Sequence, residues 1–132
     1  MTNTALATPS NTYDEFLYSL QDPEIPAPSL SPTLFGKALQ LDFQSLADQA
    51  HVHRNTLRNA PTAPSVQRYI RDSVRVIKAA YNLSGDMSRA LTWYRNDGLD
   101  AFGYRTAEQL VSDGRTDDLL RYMSSLQAGF AG

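Results

Sequence analysis

His51 and His53 are the only imidazoles in the chain, and cysteine is absent. Two alternating imidazoles make an incomplete shell for a zinc ion, so the pair reads as solvent-facing or as one phosphate contact, and no metal is expected. Without cysteine there is no thiolate site, no disulfide framework and no sulfur nucleophile, which suits a reducing cytoplasm. Asp117 and Asp118 resemble a carboxylate pair, but adjacent residues on a helix diverge by ~100°. They belong at a helix start, where the positive end of the dipole favours them. The chain has no G-x-S-x-G elbow, Walker-A loop, H-E-x-x-H or dinucleotide fingerprint. These residues argue against an enzyme, and no cofactor is expected.

Recognition chemistry is better represented. In the stretch from Gln44 to Arg58, Leu46, Ala47 and Ala50 give one helix an inner face thinned to alanine. Val52 is apolar inside the turn, and Leu57 brings a following short helix back to the same core. Two helices crossing steeply over a three-to-four-residue turn make these demands. The outward residues of the second helix are then His53, Arg54, Asn55 and Arg58. All four form hydrogen bonds, and they sit at the end that enters a major groove. Arg can pair with guanine O6/N7 and Asn with adenine N6/N7. His51 stands in the turn where glycine is commonest. The other reading of the stretch is an αα-corner with a polar outer face.

The elements that must position these residues are all helical, and the expected fold is all-α. Thr12 and Glu15 form a capping box before Tyr13, Phe16, Leu17 and Leu20, a short amphipathic helix over 12–20. A helix follows at 32–41, capped by Ser31 with Pro32 at its first position and Leu34, Ala38 and Leu41 inward. Asp42 caps 43–50, and a third helix covers 54–59. Ser65 opens 66–81, where Val66, Tyr69, Ile70, Val74, Ile77 and Tyr81 form a core-facing stripe. The next helix, 86–95, buries Met87, Ala90, Leu91 and Tyr94. Thr106 begins a second capping box and Gly114 closes its helix. Thr116 caps 117–128, with Leu119, Leu120, Met123 and Leu126 inward.

The 132 residues are 42% hydrophobic and 20% charged, with a net charge of −2. The charge is unevenly placed. Residues 1–32 hold four acids and no Lys or Arg; 33–78 hold seven basic residues against three acids; 79–132 hold five Arg against seven acids. A basic middle between acidic ends fits a nucleic-acid module flanked by protein-contacting parts, or cations on solvated helix faces. Five of the seven prolines fall within residues 1–32, a leader expected to be largely irregular. There is no export signal and no apolar run of the roughly 20 residues that span a bilayer, so the chain reads as soluble, cytoplasmic and independent of membranes. Three parts are expected: the leader at 1–32, a helix-turn-helix DNA-binding region at 33–81 and a partner-binding domain at 82–132.

The last 40 residues carry a resemblance. Trp93 at a helix end, then Ala101-Phe102-Gly103-Tyr104-Arg105-Thr106, Glu108, Leu110, Gly114-Arg115 and the closing Leu126-Gln127-Ala128-Gly129-Phe130 resemble the toxin-binding domain of the Xre/MbcA/ParS antitoxin family. With the helix-turn-helix region the likeness spans 33–132. Two departures occur: Ala107 where the family usually has Pro, and Arg95-Asn96-Asp97-Gly98 where a Pro often follows the Trp. The resemblance implies a type II antitoxin encoded beside a RES-domain toxin that consumes NAD. Such antitoxins dimerise, repress their own operon by binding operator DNA, and press their C-terminal segment into the toxin's cleft. Carried over, Trp93, Phe102, Gly103 and Arg105 build the recognition surface. Leu126, Gly129, Phe130 and Gly132 form the inserted end, and Arg105 and Arg115 pair with toxin carboxylates. The alternative is a stand-alone helix-turn-helix regulator whose C-terminal region dimerises.

Overall fold

The computed structural model describes residues 12–131, with side chains to residue 128. Eight helices are present among these residues, together with one 3₁₀ turn and a two-residue ribbon: α1 (Tyr13–Ser19), α2 (Pro32–Ala38), α3 (Phe43–Ala50), α4 (Arg54–Asn59), α5 (Pro64–Ser84), α6 (Met87–Asn96), β1 (Gly98–Leu99), the 3₁₀ turn Asp100–Phe102, β2 (Arg105–Thr106), α7 (Ala107–Ser112) and α8 (Thr116–Ala131). The fold is all-α. No helix among the described residues is long and apolar enough to cross a membrane.

Local chemistry sets most of the helix starts. Thr12 and Glu15 close a full capping box on α1, and Thr106 and Gln109 close another on α7. Ser31 accepts the Leu34 N–H at 3.1 Å with Pro32 at N1, and Asp42 accepts the Ser45 N–H at 2.7 Å. Two expected starts are corrected. Ser65 does not open α5: Ala63 is the N-cap, without a side-chain bond, and Pro64 stands at N1. Thr116 does not cap α8: the Leu119 N–H bonds to the Arg115 carbonyl, so Thr116 is already helical and its hydroxyl is buried without a partner.

α5 is the axle of the molecule, packed against α1, α2, α3, α6, α7 and α8. Val66, Tyr69, Ile70, Val74 and Ile77 are buried as the stripe requires, with Val76, Ala80 and Ser73 buried beside them, whereas Tyr81, expected to end the stripe, is only half-buried. A single cluster of buried apolar side chains runs from Phe16 to Met123. The inner face of α2 differs from expectation by one position. Phe35 and Leu39 are fully buried, whereas Leu34, Ala38 and Leu41 are half-buried. A seven-residue helix is too short for periodicity to fix its face, and the larger Phe35 claims the core, meeting Tyr69 edge-on at 6.0 Å. Gly36 lets this helix sit close: a Cβ there would lie 3.2 Å from the Leu41 carbonyl oxygen.

The described part of the leader is docked. Phe16 and Leu20 are buried in the common core, and the Lys78 ammonium lies 5.3 Å above the Tyr13 ring. Gln67 of α5 pins the segment that follows. Its amide donates to the Leu30 and Pro61 carbonyls at 2.8 and 2.7 Å, and its oxygen accepts the Leu30 N–H at 2.9 Å. In the C-terminal third, the loop after α6 closes as an antiparallel ribbon pairing Gly98 with Thr106 and Leu99 with Arg105. Gly98 is obligatory there, because a Cβ would lie 2.6 Å from the Tyr104 carbonyl oxygen.

Candidate nucleic-acid and partner interface

The helix-turn-helix stretch forms two helices, α3 and α4, around the turn at residues 51–53. Leu46 and Ala47 are buried, Ala50 and Val52 are half-buried, and Leu57 is the one buried residue of α4. The turn is a Schellman motif: the Val52 N–H bonds to the Ala47 carbonyl at 3.1 Å and the His51 N–H to the Asp48 carbonyl at 3.2 Å. His51 therefore occupies the left-handed position, at φ 58°. Its ring is not a free solvent-facing group. Nε2 lies 2.7 Å from the Ser112 carbonyl at the end of α7. A carbonyl only accepts, so Nε2 carries the proton of this bond. The Ser112 hydroxyl in turn donates to the Gln49 carbonyl at 2.7 Å.

Beyond the turn, His53, Arg54, Asn55 and Arg58 are all exposed. His53 is the N-cap of α4 yet makes no capping bond through its side chain. Among the described residues, the side chains of His53, Arg54 and Asn55 have no hydrogen-bond or ion-pair partner. Arg58 is steered: its guanidinium sits 5.7 Å over the Phe43 ring. A shallow hollow beside the turn is walled by Gln44 and Asp48, joined to each other at 2.9 Å. Asp42, at the start of α3, has its carboxyl held below the usual carboxylate range by the Ser45 N–H. The groups available for a ligand on this edge are a cation, an amide and an imidazole.

The expected partner-binding residues fall into two places. Phe102, half-buried, meets Tyr122 of α8 edge-on at 5.5 Å and carries the Arg115 guanidinium 5.1 Å above its ring. Gly103 and Tyr104 both have positive φ, and Tyr104 stands 73% exposed. Arg105 and Arg115 are already engaged, with Asp113 at 2.5 Å and Asp118 at 3.3 Å respectively. Arg121 and Arg115 together hold the Asp118 carboxyl below its ordinary range. Trp93 lies elsewhere, in an apolar groove of about 530 Å³ between the end of α5, α6 and α8, where Leu126 also contributes to the wall. Leu126 was expected inward on α8; it is 41% exposed on the groove's rim.

Ser124, Ser125, Leu126, Gln127 and Ala128 are consecutively exposed, which takes in every side of the helix over more than a turn. Helical backbone continues past the expected end at 128 to Ala131. The side chain of Phe130, the surroundings of Gly129, and Gly132 lie outside the described residues.

Sequence reasoning missed a polar group of side chains inside the core. Tyr69 donates to Gln49 Oε1 at 2.5 Å, joining α5 to α3, and the Ser73 hydroxyl donates to the Tyr69 carbonyl at 2.9 Å. Arg95 donates to the Leu39 carbonyl and faces Glu108 of α7 with 3.4 Å between Nε and Oε2. Burial pushes the Tyr69 and Tyr94 phenols and the Glu108 carboxyl up from their ordinary values, and Arg95 opposes the shift at Glu108. A signal was present: Glu108 sits among Ala107, Leu110 and Val111 in a six-residue helix, a face too short to expose it. No group of three or more His, Cys, Asp or Glu among the described residues is placed to hold a metal ion. No protein-family model, curated protein or solved structure matches the chain.

Proposed function

We propose that the protein is a type II antitoxin: it represses its own operon through α3 and α4, and neutralises a RES-type, NAD-consuming toxin by occlusion. The observation that carries this reading is the exposure of five consecutive residues near the described end of α8, Ser124 to Ala128, of which only Leu126 touches the rim of the Trp93 groove. Such an end enters a cleft without first being undocked. On the α4 edge, the unpartnered His53, Arg54 and Asn55 offer base-edge and phosphate contacts without breaking an internal bond. Phe102 with Arg105 and Arg115 forms the flank that a toxin would grip, and its arginines would exchange Asp113 and Asp118 for toxin carboxylates.

That same exchange favours a second reading. Arginines already satisfied at home gain less from a partner, which suits a stand-alone regulator whose C-terminal region serves dimerisation. One co-expression experiment with the neighbouring open reading frame separates the two. Deleting residues 127–132 is expected to abolish protection from the toxin while operator binding survives. Arg54→Ala with Arg58→Ala is expected to weaken operator binding and flatten its salt dependence, by about 0.9 in slope for each phosphate that the variant no longer neutralises. Full protection by the truncated chain overturns occlusion, and unchanged operator binding by the double variant overturns the DNA reading.

A further inference from the structure

The structure puts only two of the seven cations in residues 33–78 on α4, Arg54 and Arg58. Four others, Arg68, Arg71, Arg75 and Lys78, all stand exposed on α5. Their spacings of three, four and three residues place them within an arc of about 80°, along about 15 Å of the helix. α3 packs on the other side of α5, where Tyr69 bonds to Gln49, about 140° around the helix from the middle of that arc. α4 packs chiefly against α3, so the two cationic edges face apart. Arg75 is shared by Asp72 at 3.3 Å and Asp117 at 3.9 Å, and the Lys78 ammonium lies over the Tyr13 ring. Arg68 and Arg71 have no partner among the described residues.

We propose that this face of α5 is a second nucleic-acid site, one that holds the phosphate backbone of duplex DNA without regard to sequence. A chain with a net charge of −2 concentrates four cations there, the footprint of a polyanion. Phosphates of one strand recur about every 3.4 Å along a duplex, so the stripe spans about four of them. Three of the four cations are Arg, whose planar fork bonds a phosphate through two N–H groups. The make-up of the face selects this partner over two others. A protein interface has an apolar centre and few Lys, yet Leu83, the exposed large hydrophobic of α5, lies off the arc in the wall of the Trp93 groove. A single strand is held by stacking on aromatic rings, and the ring beside this face, Tyr13, is half-buried and already carries Lys78. Because the two edges face apart, α5 holds a segment of DNA other than the one seated on α4. The assignment goes beyond the operator reading and uses neither α4 nor α8, so either can fail alone.

The test is fluorescence anisotropy of a labelled duplex of arbitrary sequence, titrated with the full chain at salt from about 50 to about 200 mM. The wild-type chain is expected to bind with a salt slope of about −3, as three to four neutralised phosphates require. Arg68→Ala with Arg71→Ala is expected to flatten that slope by about 1.8 and to weaken binding at the low-salt end about tenfold. Arg68→Lys with Arg71→Lys keeps the slope, because the charge is kept. Arg54→Ala with Arg58→Ala retains this slope while operator binding weakens, which separates the two sites. Alanine is the best helix former, so α5 survives these exposed changes, and circular dichroism checks that it does. A chain with no affinity for the duplex at the lowest salt overturns the proposal, as does an α5 alanine variant that binds like the wild type. Tighter binding of a single strand of the same length, or of polyglutamate, overturns it in favour of a single-stranded or an acidic protein partner.

Discussion

The turns after α3 and after α7 share one hydrogen-bond pattern and differ in the residue that makes it possible. After α7, the Arg115 N–H reaches the Leu110 carbonyl at 2.8 Å and the Gly114 N–H reaches Val111 at 3.0 Å. Gly114 takes the left-handed position at φ 80° with nothing within 4 Å of where a Cβ would be. That turn is self-sufficient. After α3 the same position holds His51, whose side chain costs roughly 1 kcal/mol there, and whose ring is bonded to Ser112 in the C-terminal third. The turn between α3 and α4 thus takes part of its shape from the C-terminal third of the chain. The asymmetry extends to the helices: α4 has Leu57 alone in the core, whereas α8 has Thr116, Leu119 and Met123.

The largest effect that tests this asymmetry is Leu57→Ala. Emptying a fully enclosed leucine site costs about 2–5 kcal/mol, and here it also removes the sole anchor of α4. Denaturant unfolding should show the loss, and native-state hydrogen exchange should show α4 amides opening well before those of α8. Equal exchange in the two helices would mean that α4 is held by something besides Leu57.

Next comes the turn itself. His51→Ala keeps the left-handed strain and loses the bond to Ser112, so a loss of about 1 kcal/mol is expected. His51→Gly loses the same bond but relieves the strain, and should be close to neutral. If the two variants were equally destabilised, the ring bond would be the whole contribution and backbone strain none of it.

These turns also show what the sequence made legible. Capping is settled within four residues, so Thr12, Ser31, Asp42 and Thr106 could be read directly, as could the left-handed site at His51. Face assignment needs several turns, so it held on the long α5 and slipped by one on α2. Ser65 and Thr116 are good capping residues in isolation, but Pro64 preempts the first and the Arg115 carbonyl the second. Contacts across tens of residues left little trace: Gln67 holding Leu30, Ser112 holding His51, and Glu108 facing Arg95. His53, Arg54, Asn55 and Arg58 come out together on one exposed edge because they share one short helix and its N-cap. Phe102 and Trp93 do not come together, since the one packs on Tyr122 and the other lines the groove.

The smallest effect belongs to the pair of Glu108 and Arg95 and is a change in slope with pH. Burial raises the Glu108 carboxyl above its unfolded value, about 4.3 for glutamate, while Arg95 holds part of the rise in check. In the window above that value the native chain binds more protons at this site than the unfolded chain. The group's contribution is therefore fully present below the unfolded value and is lost as pH rises through the native one. Asp42 and Asp118, whose carboxyls are lowered, act in the opposite sense and lose their contribution as pH falls. Subtracting the Glu108→Gln profile from the wild-type profile isolates the one site. The difference in unfolding free energy should decline from about pH 4 upward and then level off. A difference that stayed flat with pH would mean that Arg95 and Gln49 together cancel the effect of burial at Glu108 entirely.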